Sequence, residues 1–436
     1  MVNIPPYHII VIGTGLAGLT AAISLSKAGH NVEIVEAAPA VGYIGAGIQI
    51  SPNSSRVLRK LGVDKYIQKY CLEPIDLKMM SYHSGNVLVE TPLKEPALQR
   101  YGSPYWHIHR ADLHRGLLEA AIDLGVKVYL DNRVVDIDPY KPSLVTKTGA
   151  KFTADLIVAS DGLWSIARAV VLGKPSPPVP TGQMCFRITV PTKKLEGLTG
   201  LDDLITVARN NHWFGPNGTM LTYLLEGVHG TMINLVLTCD ARMPDGVNQR
   251  ISSKKEAKEA FKDWDPRILK ILDYADEVLE WRLFTHKEAP TWIHESNKLV
   301  LIGDAAHAMT PYLAQGSAMG IEDSAILGGV LARLPTPDTL PQALKLYEKL
   351  RVKRTAKVTA ASIDSRWFTQ MPDGPEQKAR DEYLLANPGI MNGHKHNRSD
   401  QQFLDDLFGY NAFDELDKAF KEAVFRSKRP ISHLME

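Results

Sequence analysis

The chain reads as an α/β protein: a sheet of parallel strands, split by a β-rich insertion and followed by a helical C-terminal region. Three observations predict it. Between Tyr7 and Glu36 an apolar strand, a glycine-rich turn, a helix and a second strand follow without a break. Between Gly182 and Asp240 short runs are apolar or alternate, the pattern of an antiparallel sheet. At Leu299 a strand–loop–helix pattern returns, and after Gly320 the chain is helical.

The first strand is Tyr7–Ile12. Gly13-Thr14-Gly15-Leu16-Ala17-Gly18 follows and opens a helix that stops at Gly29, and the second strand, Val32–Glu36, ends on a carboxylate. Gly13 permits the tight turn, Gly15 lets a pyrophosphate approach the backbone, and Gly18 lets the helix pack on the strand. The backbone of this turn, Ala17 included, and Glu36 as acceptor for a ribose hydroxyl predict a dinucleotide site.

Next, glycines beside an apolar strand in GAGIQI (45–50), Gly47 among them, predict close approach by a ligand or by backbone. A helix is expected from Ser51-Pro52-Asn53 to Leu61, and a strand at Trp106–His109. Arg110 then stands where it can reach a phosphate, with Asp112 as the expected N-cap of the following helix. Strands are expected at Val126–Leu130, Val134–Ile137, Val145–Thr148 and Phe152–Ser160, the last ending in Asp161-Gly162. The proline-rich Pro175–Pro180 reads as a crossover between domains.

In the β-rich part, strands are expected at Cys185–Val190, Leu204–Ala208, Met220–Leu225 and Thr231–Thr238, then helices near Ser252–Trp264 and Pro266–Tyr274 and a strand at Trp281–Thr285. Leu299–Ile302 is short enough for a buried strand, and Gly303-Asp304 places a carboxylate at its end. A loop with His307, Pro311 and Gly316 leads into a helix of small residues from about Ser317. The long helix Gln342–Phe368 carries Lys345, Lys349, Arg351, Lys353, Arg354 and Lys357, expected as a solvated face. A final amphipathic helix is expected at Tyr410–Arg426, and His394 and His396 before it are too isolated for a metal site.

Composition sets the outer bounds. With 436 residues the chain can form two or more packed domains, and 44% hydrophobic and 23% charged residues are ordinary for a globular protein. Lys+Arg total 50 and Asp+Glu 49, so no broad field gathers nucleic acid or anionic membrane. Cys71, Cys185 and Cys239 form no CxxC pair, which argues against a zinc site or a disulfide framework and fits a reducing compartment. A strand within seven residues of the start leaves no room for a signal peptide, no apolar run approaches the ~20 residues of a membrane span, and ISHLME is no address signal. A soluble, cytoplasmic protein without a metal is expected.

Three motifs then stand in a fixed order: Gly13–Gly18 with Glu36, DLIVASDG at 155–162, and GDAAHAMTPYLAQGSAMGIED at 303–323. This order resembles the single-component FAD-dependent aromatic hydroxylases, the group of para-hydroxybenzoate hydroxylase. GAGIQISPN (45–53) and PYLAQGSAMGIED (311–323) are most similar to its salicylate hydroxylase and fungal phenol hydroxylase branch. The resemblance runs from about Tyr7 to Leu350 and implies a Rossmann-like FAD-binding domain with an inserted β-rich substrate domain and a helical C-terminal region. The implied layout is 1–175 and 291–368 for FAD, the latter with the long helix, 176–290 for substrate, and a helical extension at 369–436.

The resemblance also implies roles. It places the FAD pyrophosphate at Gly13–Gly18, the adenine ribose on Glu36, and the phosphates near Arg110. Gly303 and Asp304 would hold the ribityl and pyrophosphate region, Pro311–Ser317 (with Gly316) would line the flavin ring, and Asp161-Gly162 is linked to both FAD and NAD(P)H. His307 would have a conformational role. It implies hydroxylation of a phenolic or hydroxybenzoate-like substrate by NAD(P)H and O2 through a flavin hydroperoxide. Arg187 would hold the substrate as phenolate, with Tyr223 as its partner. His212 is a further candidate, as general base. Asn217-Gly218-Thr219 stand where salicylate hydroxylases often carry a histidine, which points away from salicylate itself. The alternatives are a same-fold flavoprotein acting on an alkene or indole, and a non-catalytic nucleotide-binding protein.

Overall fold

The computed structural model describes residues 6–40, 46–228, 230–334 and 336–427, with side chains as far as 422. Gly45, which opens the GAGIQISPN motif, and the ISHLME end lie outside the described residues.

A five-stranded sheet forms the centre, in the order Leu299–Leu301, Leu156–Ala159, His8–Ile12, Asn31–Val35, Lys127–Tyr129, and every pair is parallel. Ile9, Ile10, Val11, Ile157, Val158, Val300 and Leu301 are fully buried, as both faces of a covered parallel sheet require. The helices Leu16–Lys27 and Gly316–Leu331 pack against each other. Small residues make the close approach possible: a Cβ at Gly328 would lie 2.1 Å from Ser24 Oγ, and one at Gly320 would lie 2.8 Å from Ala17 Cβ.

The second sheet has eight strands: Gln249–Ser252, Val278–Thr285, Val179–Pro191, Met232–Asp240, Gly218–Leu225, Asn210–Gly215, Asp76–Ser81 and Val87–Pro92. It is not confined to 176–290. The Asn210–Gly215 strand pairs in parallel with Asp76–Ser81, so a hairpin from much earlier in the chain satisfies its open edge. Alternation divides the sheet into two faces. Phe186, Ile188, Met220, Leu224, Ile233, Leu235 and Leu237 join a core with Ala257, Phe261, Trp264, Ile268 and Ile271 from the helical stretch beneath. The opposite face carries Arg187, Val236, Leu221 and Leu279, which are neighbours in register across four strands.

Three local expectations are corrected. Leu204–Ala208 is not a strand: Asp202–Thr206 is a short helix, with two acidic residues in its first turn and Leu204 and Ile205 in the core beneath the sheet. Phe152–Ser160 is two strands. Lys151–Thr153 pairs with Ser143–Thr146, and Leu156–Ala159 enters the central sheet after Asp155 accepts from His8 N at 2.8 Å. The helix Arg110–Asp123 starts before Asp112. His109 is its N-cap, Nδ1 accepting from Ala111 N, while Asp112 pairs with Arg115 at 2.8 Å.

The remaining chain is helical: Leu340–Thr369, Pro375–Ala386, Gln401–Phe408 and Ala412–Ser427. Among the described residues no helix is long and apolar enough to cross a membrane.

Candidate active site

A cavity of about 410 Å³ lies between the central sheet and the open face of the second sheet. One wall is made by Gly15, Leu16 and Ala17, by Gly303 and Asp304, and by Pro311, Ala314, Gly316 and Ser317. Arg110 and Gly47 line it as well. The facing wall is Arg187, Leu221, Tyr223, Val236, Leu279 and Trp281. Residues nearly three hundred positions apart meet here because Leu299–Leu301 and His8–Ile12 flank the same strand, Leu156–Ala159.

The first wall suits an anionic ligand. Two helices, Leu16–Lys27 and Gly316–Leu331, present their N-termini to the cavity, neither with a side-chain cap nor an acidic residue in the first turn. Their leading N–H groups and the positive ends of their dipoles favour phosphate. A Cβ at Gly15 would meet nothing within 4 Å, so the cradle is open there. Gly18 serves packing instead: a Cβ would lie 2.2 Å from Gly13 O and 2.4 Å from Ser160 Oγ. Gly13, at φ +96°, supports that turn and does not line the cavity.

Asp304 is surrounded by protein yet exposed, because its carboxylate faces the cavity. Those surroundings push its carboxyl up, while His307 and Arg110 pull it down. Burial and the neighbouring Arg187 lower the Arg110 guanidinium, and Asp304 opposes them. Glu36 lies at the end of the Asn31–Val35 strand, outside the cavity, and accepts from Thr14 N at 2.6 Å, Thr14 Oγ1 at 2.7 Å and Ala38 N at 2.7 Å. Burial pushes its carboxyl up, and these donors outweigh burial and hold it low. Asp161 also lies outside. Its Oδ2 accepts from Ile166 N and Ala167 N at the start of the Ile166–Leu172 helix, while Gly162 lines the cavity.

Behind the first wall lies a fully buried ionic network. Asp323 accepts from Gly303 N at 2.9 Å, His307 Nε2 lies 2.6 Å from Asp323 Oδ2, and Arg351 pairs with Asp323 and Glu322 at 2.7 Å each. Asn53 Nδ2 donates to Glu322 at 2.7 Å. The charged helix face is thus not wholly solvated: Arg351 is 0% exposed. Glu322 and Asp323, carboxylates inside an otherwise apolar helix, were the available signal that a cation had to reach them.

On the second wall the Arg187 guanidinium lies over the Trp281 ring, 5.2 Å from its centroid, and its Nε has no protein partner. Tyr223 is buried against His107, ring centroids 4.4 Å apart, and burial raises its hydroxyl although Arg187 opposes the rise. A Cβ on Gly47 would lie 2.5 Å from the Tyr223 ring, and Gly47 N donates to Asn234 Oδ1 at 2.7 Å. The close approach expected at Gly47 is therefore to the sheet. Gln49 and Trp281 also line the cavity, and the sequence had assigned them no role. His212, opposite Leu221 in register, is pulled down to about 3 by burial and by Arg398. Among the described residues no group of three metal-ligating side chains converges.

Comparisons with known proteins agree with this geometry. A family model described as an FAD binding domain matches residues 6–362. The chain is 35% identical over 387 residues to the FAD-dependent monooxygenase OpS4 of Beauveria bassiana, covering 88% of this chain and 90% of the relative. It is 31% identical to a 6-hydroxynicotinate 3-monooxygenase of Bordetella bronchiseptica, covering 83% and 92%. A salicylate hydroxylase solved as a substrate complex has the same fold, with TM-score 0.76, 22% identity and coverage of 94% and 97%.

Proposed function

The chain belongs to the FAD-binding-domain family, as a flavin-dependent monooxygenase, and we propose that it hydroxylates a phenolic aromatic substrate with NAD(P)H and O2. The cavity supports this reading: its first wall suits the phosphates and ribityl arm of FAD, and its second presents a guanidinium to whatever lies between. When bound, FAD supplies the redox chemistry: a hydride is taken from NAD(P)H, one atom of O2 goes to the ring and the other leaves as water.

The chain's own residues prepare the substrate. A ring carbon of a phenolate is far richer in electrons than that of a phenol, whose pKa is near 10. Holding the phenolate at neutral pH asks for a shift of ~2–3 units, or ~3–4 kcal/mol. One fixed guanidinium a few ångströms away in a partly desolvated site can supply that, and the role is assigned to Arg187, which lines the cavity over the Trp281 ring. Tyr223 stays protonated and offers a neutral hydroxyl beside it. His212, held near 3, is a poor proton acceptor at neutrality, so the phenol proton is assigned to solvent.

The test is a panel of phenols, followed by NAD(P)H consumption and product mass. The expected product gains one oxygen, with or without loss of carbon dioxide. Arg187→Ala should bind and reduce the flavin normally but lose at least ~100-fold in hydroxylation at neutral pH, recovering as the pH approaches 10. Wild-type hydroxylation in that variant rules the assignment out. If no phenol accelerates NAD(P)H oxidation in the wild type, the reading passes to a non-phenolic substrate such as an alkene or indole.

A further inference from the structure

The single-turn helix Asp304–His307 separates two cavities. Gly303, Asp304 and Met309 line the one already described, while Ala306, His307 and Ala308 line a second, of about 210 Å³. This second cavity lies between the turn, Trp292 and the helix Leu340–Thr369, which contributes Val352, Ala356 and Ile363. Its lining is mostly apolar, and the exposed residues Lys287, Glu288 and Ala360 stand at its mouth. An apolar cavity of about 150 Å³ holds benzene, so this one has room for a small ring compound.

Two imidazoles in this lining, His286 and His307, are each 9% exposed, and the Nδ1 of each has no protein partner. Their other nitrogens are committed. His286 Nε2 lies 2.9 Å from Leu163 O, a carbonyl that can only accept, so Nε2 carries the proton. Burial, and then Arg168, pull this imidazole down to about 4, so it is neutral and its Nδ1 is a bare acceptor. His307 Nε2 lies 2.6 Å from the Asp323 carboxylate and donates to it. The His307 Nδ1 then accepts in the neutral ring and donates in the charged one, and a hydroxyl serves either. Thr355 is not available, since its Oγ1 donates to Arg351 O and Val352 O within its own helix. Charge is disfavoured in both signs. An anion would meet the His286 lone pair, with Asp323 one imidazole away, and a cation would meet Arg168, which is buried and donates to Ala305 O and Ala306 O.

We propose that this second cavity is an effector site for a small, neutral, mostly apolar molecule whose hydroxyl meets the imidazoles of His286 and His307, and that its occupant steadies the turn on the FAD side. The route is short. His307 holds Asp323, and Asp323 accepts from Gly303 N at 2.9 Å, so a ligand that fixes the imidazole also fixes backbone lining the FAD cavity. Such coupling is reciprocal: the effector tightens FAD, and FAD tightens the effector. The site is independent of which substrate the first cavity takes.

The experiment dialyses the FAD-loaded enzyme, without NAD(P)H, against 2-naphthol, naphthalene and 2-naphthoate, and counts ligand bound per flavin. Ala356→Leu narrows the second cavity, and Ala360→Phe, at an exposed helix position, obstructs its mouth. Flavin content and thermal midpoint report the folding of each variant. Ligand in the first cavity persists in both, so the equivalent that the wild type binds and the variants lose belongs to the second. One such equivalent is expected for 2-naphthol, held at least about fivefold more tightly than naphthalene, and none for 2-naphthoate. 2-Naphthol should also lower the Kd for FAD at least about fivefold in the wild type, and the variants should lose that gain. Equal 2-naphthol binding in the wild type and both variants overturns the proposal. Naphthalene held as tightly as 2-naphthol, or 2-naphthoate bound in the same place, overturns the assignment to a neutral hydroxyl. A wild-type Kd for FAD that 2-naphthol leaves unchanged refutes the link to the turn.

Discussion

Two regions of the molecule enclose arginine nitrogens, one completely and one in part, and they are built by opposite rules. Behind the first wall, Arg351 is completely enclosed and meets Glu322, Asp323, the Met319 carbonyl and Tyr410. At the sheet, Arg187 and Arg398 each keep an unpaired buried Nε, among histidines and amides that are likewise unpaired. The first arrangement is finished and holds the Gly303 turn in place. The second leaves donors and acceptors without partners in the protein. Buried charge alone therefore does not mark an active site, whereas buried charge with spare hydrogen-bonding capacity does.

The largest way to break this contrast is Arg351→Ala. It takes the shared cation from two buried carboxylates, leaving Glu322 to Arg354 and Asn53 and Asp323 to His307, and a destabilisation of about 3–5 kcal/mol is expected, together with loss of FAD. Urea unfolding and flavin content measure both, and a variant as stable as wild type would place the network among the dispensable ones.

Acid separates the two regions next. Burial, and then Arg398, pull His107 and His212 down to about 3, below the ordinary 6.5. Their native forms are neutral, so the unfolded chain binds protons first. The stability they contribute is full above about pH 6.5 and is lost as pH falls toward 3. For Asp323, burial pushes upward, but His307 and Arg351 hold it at about 2, so its contribution is lost only between about pH 3.8 and 2. Urea midpoints between pH 7 and 4 should fall in the wild type and fall less in His107→Phe. Equal slopes would remove the sheet-side histidines from the explanation.

The smallest effect is expected at Gly15→Ala. The new methyl meets nothing in the protein, so stability should stay within about 0.5 kcal/mol while FAD affinity drops. Thermal melts with and without added FAD separate the two.

What could be read from the sequence follows from how local each signal is. Gly13–Gly18 and Gly303-Asp304 each sit within one strand–turn–helix unit, and the sheet order brings both units to the cavity. Arg187 was named by the resemblance to the phenol hydroxylases and not by its strand's pattern; the pairing with Val236 and Leu279 then puts it on the open face. The Leu204–Ile205 pair was ambiguous, since so short an apolar run suits a strand or one turn of helix equally. Arg398 and His396 belong to a polar stretch without periodicity. Their meaning lies in Tyr312, His107 and His212, far away along the chain. Arg351 resembled its solvated neighbours, since only its packing distinguishes it.

The order of strands in the central sheet has a consequence for synthesis. Leu156–Ala159 can pair with His8–Ile12 early, but its other edge waits for Leu299–Leu301. At ordinary elongation rates that interval is on the order of ten seconds. During it the nascent chain exposes an unpaired, wholly apolar strand edge, LIVA, and lacks half of its nucleotide cradle. The vulnerable species in production of this protein is thus the ribosome-bound chain, and slowing growth or supplying chaperones that cover strand edges should raise its yield more than adding flavin does.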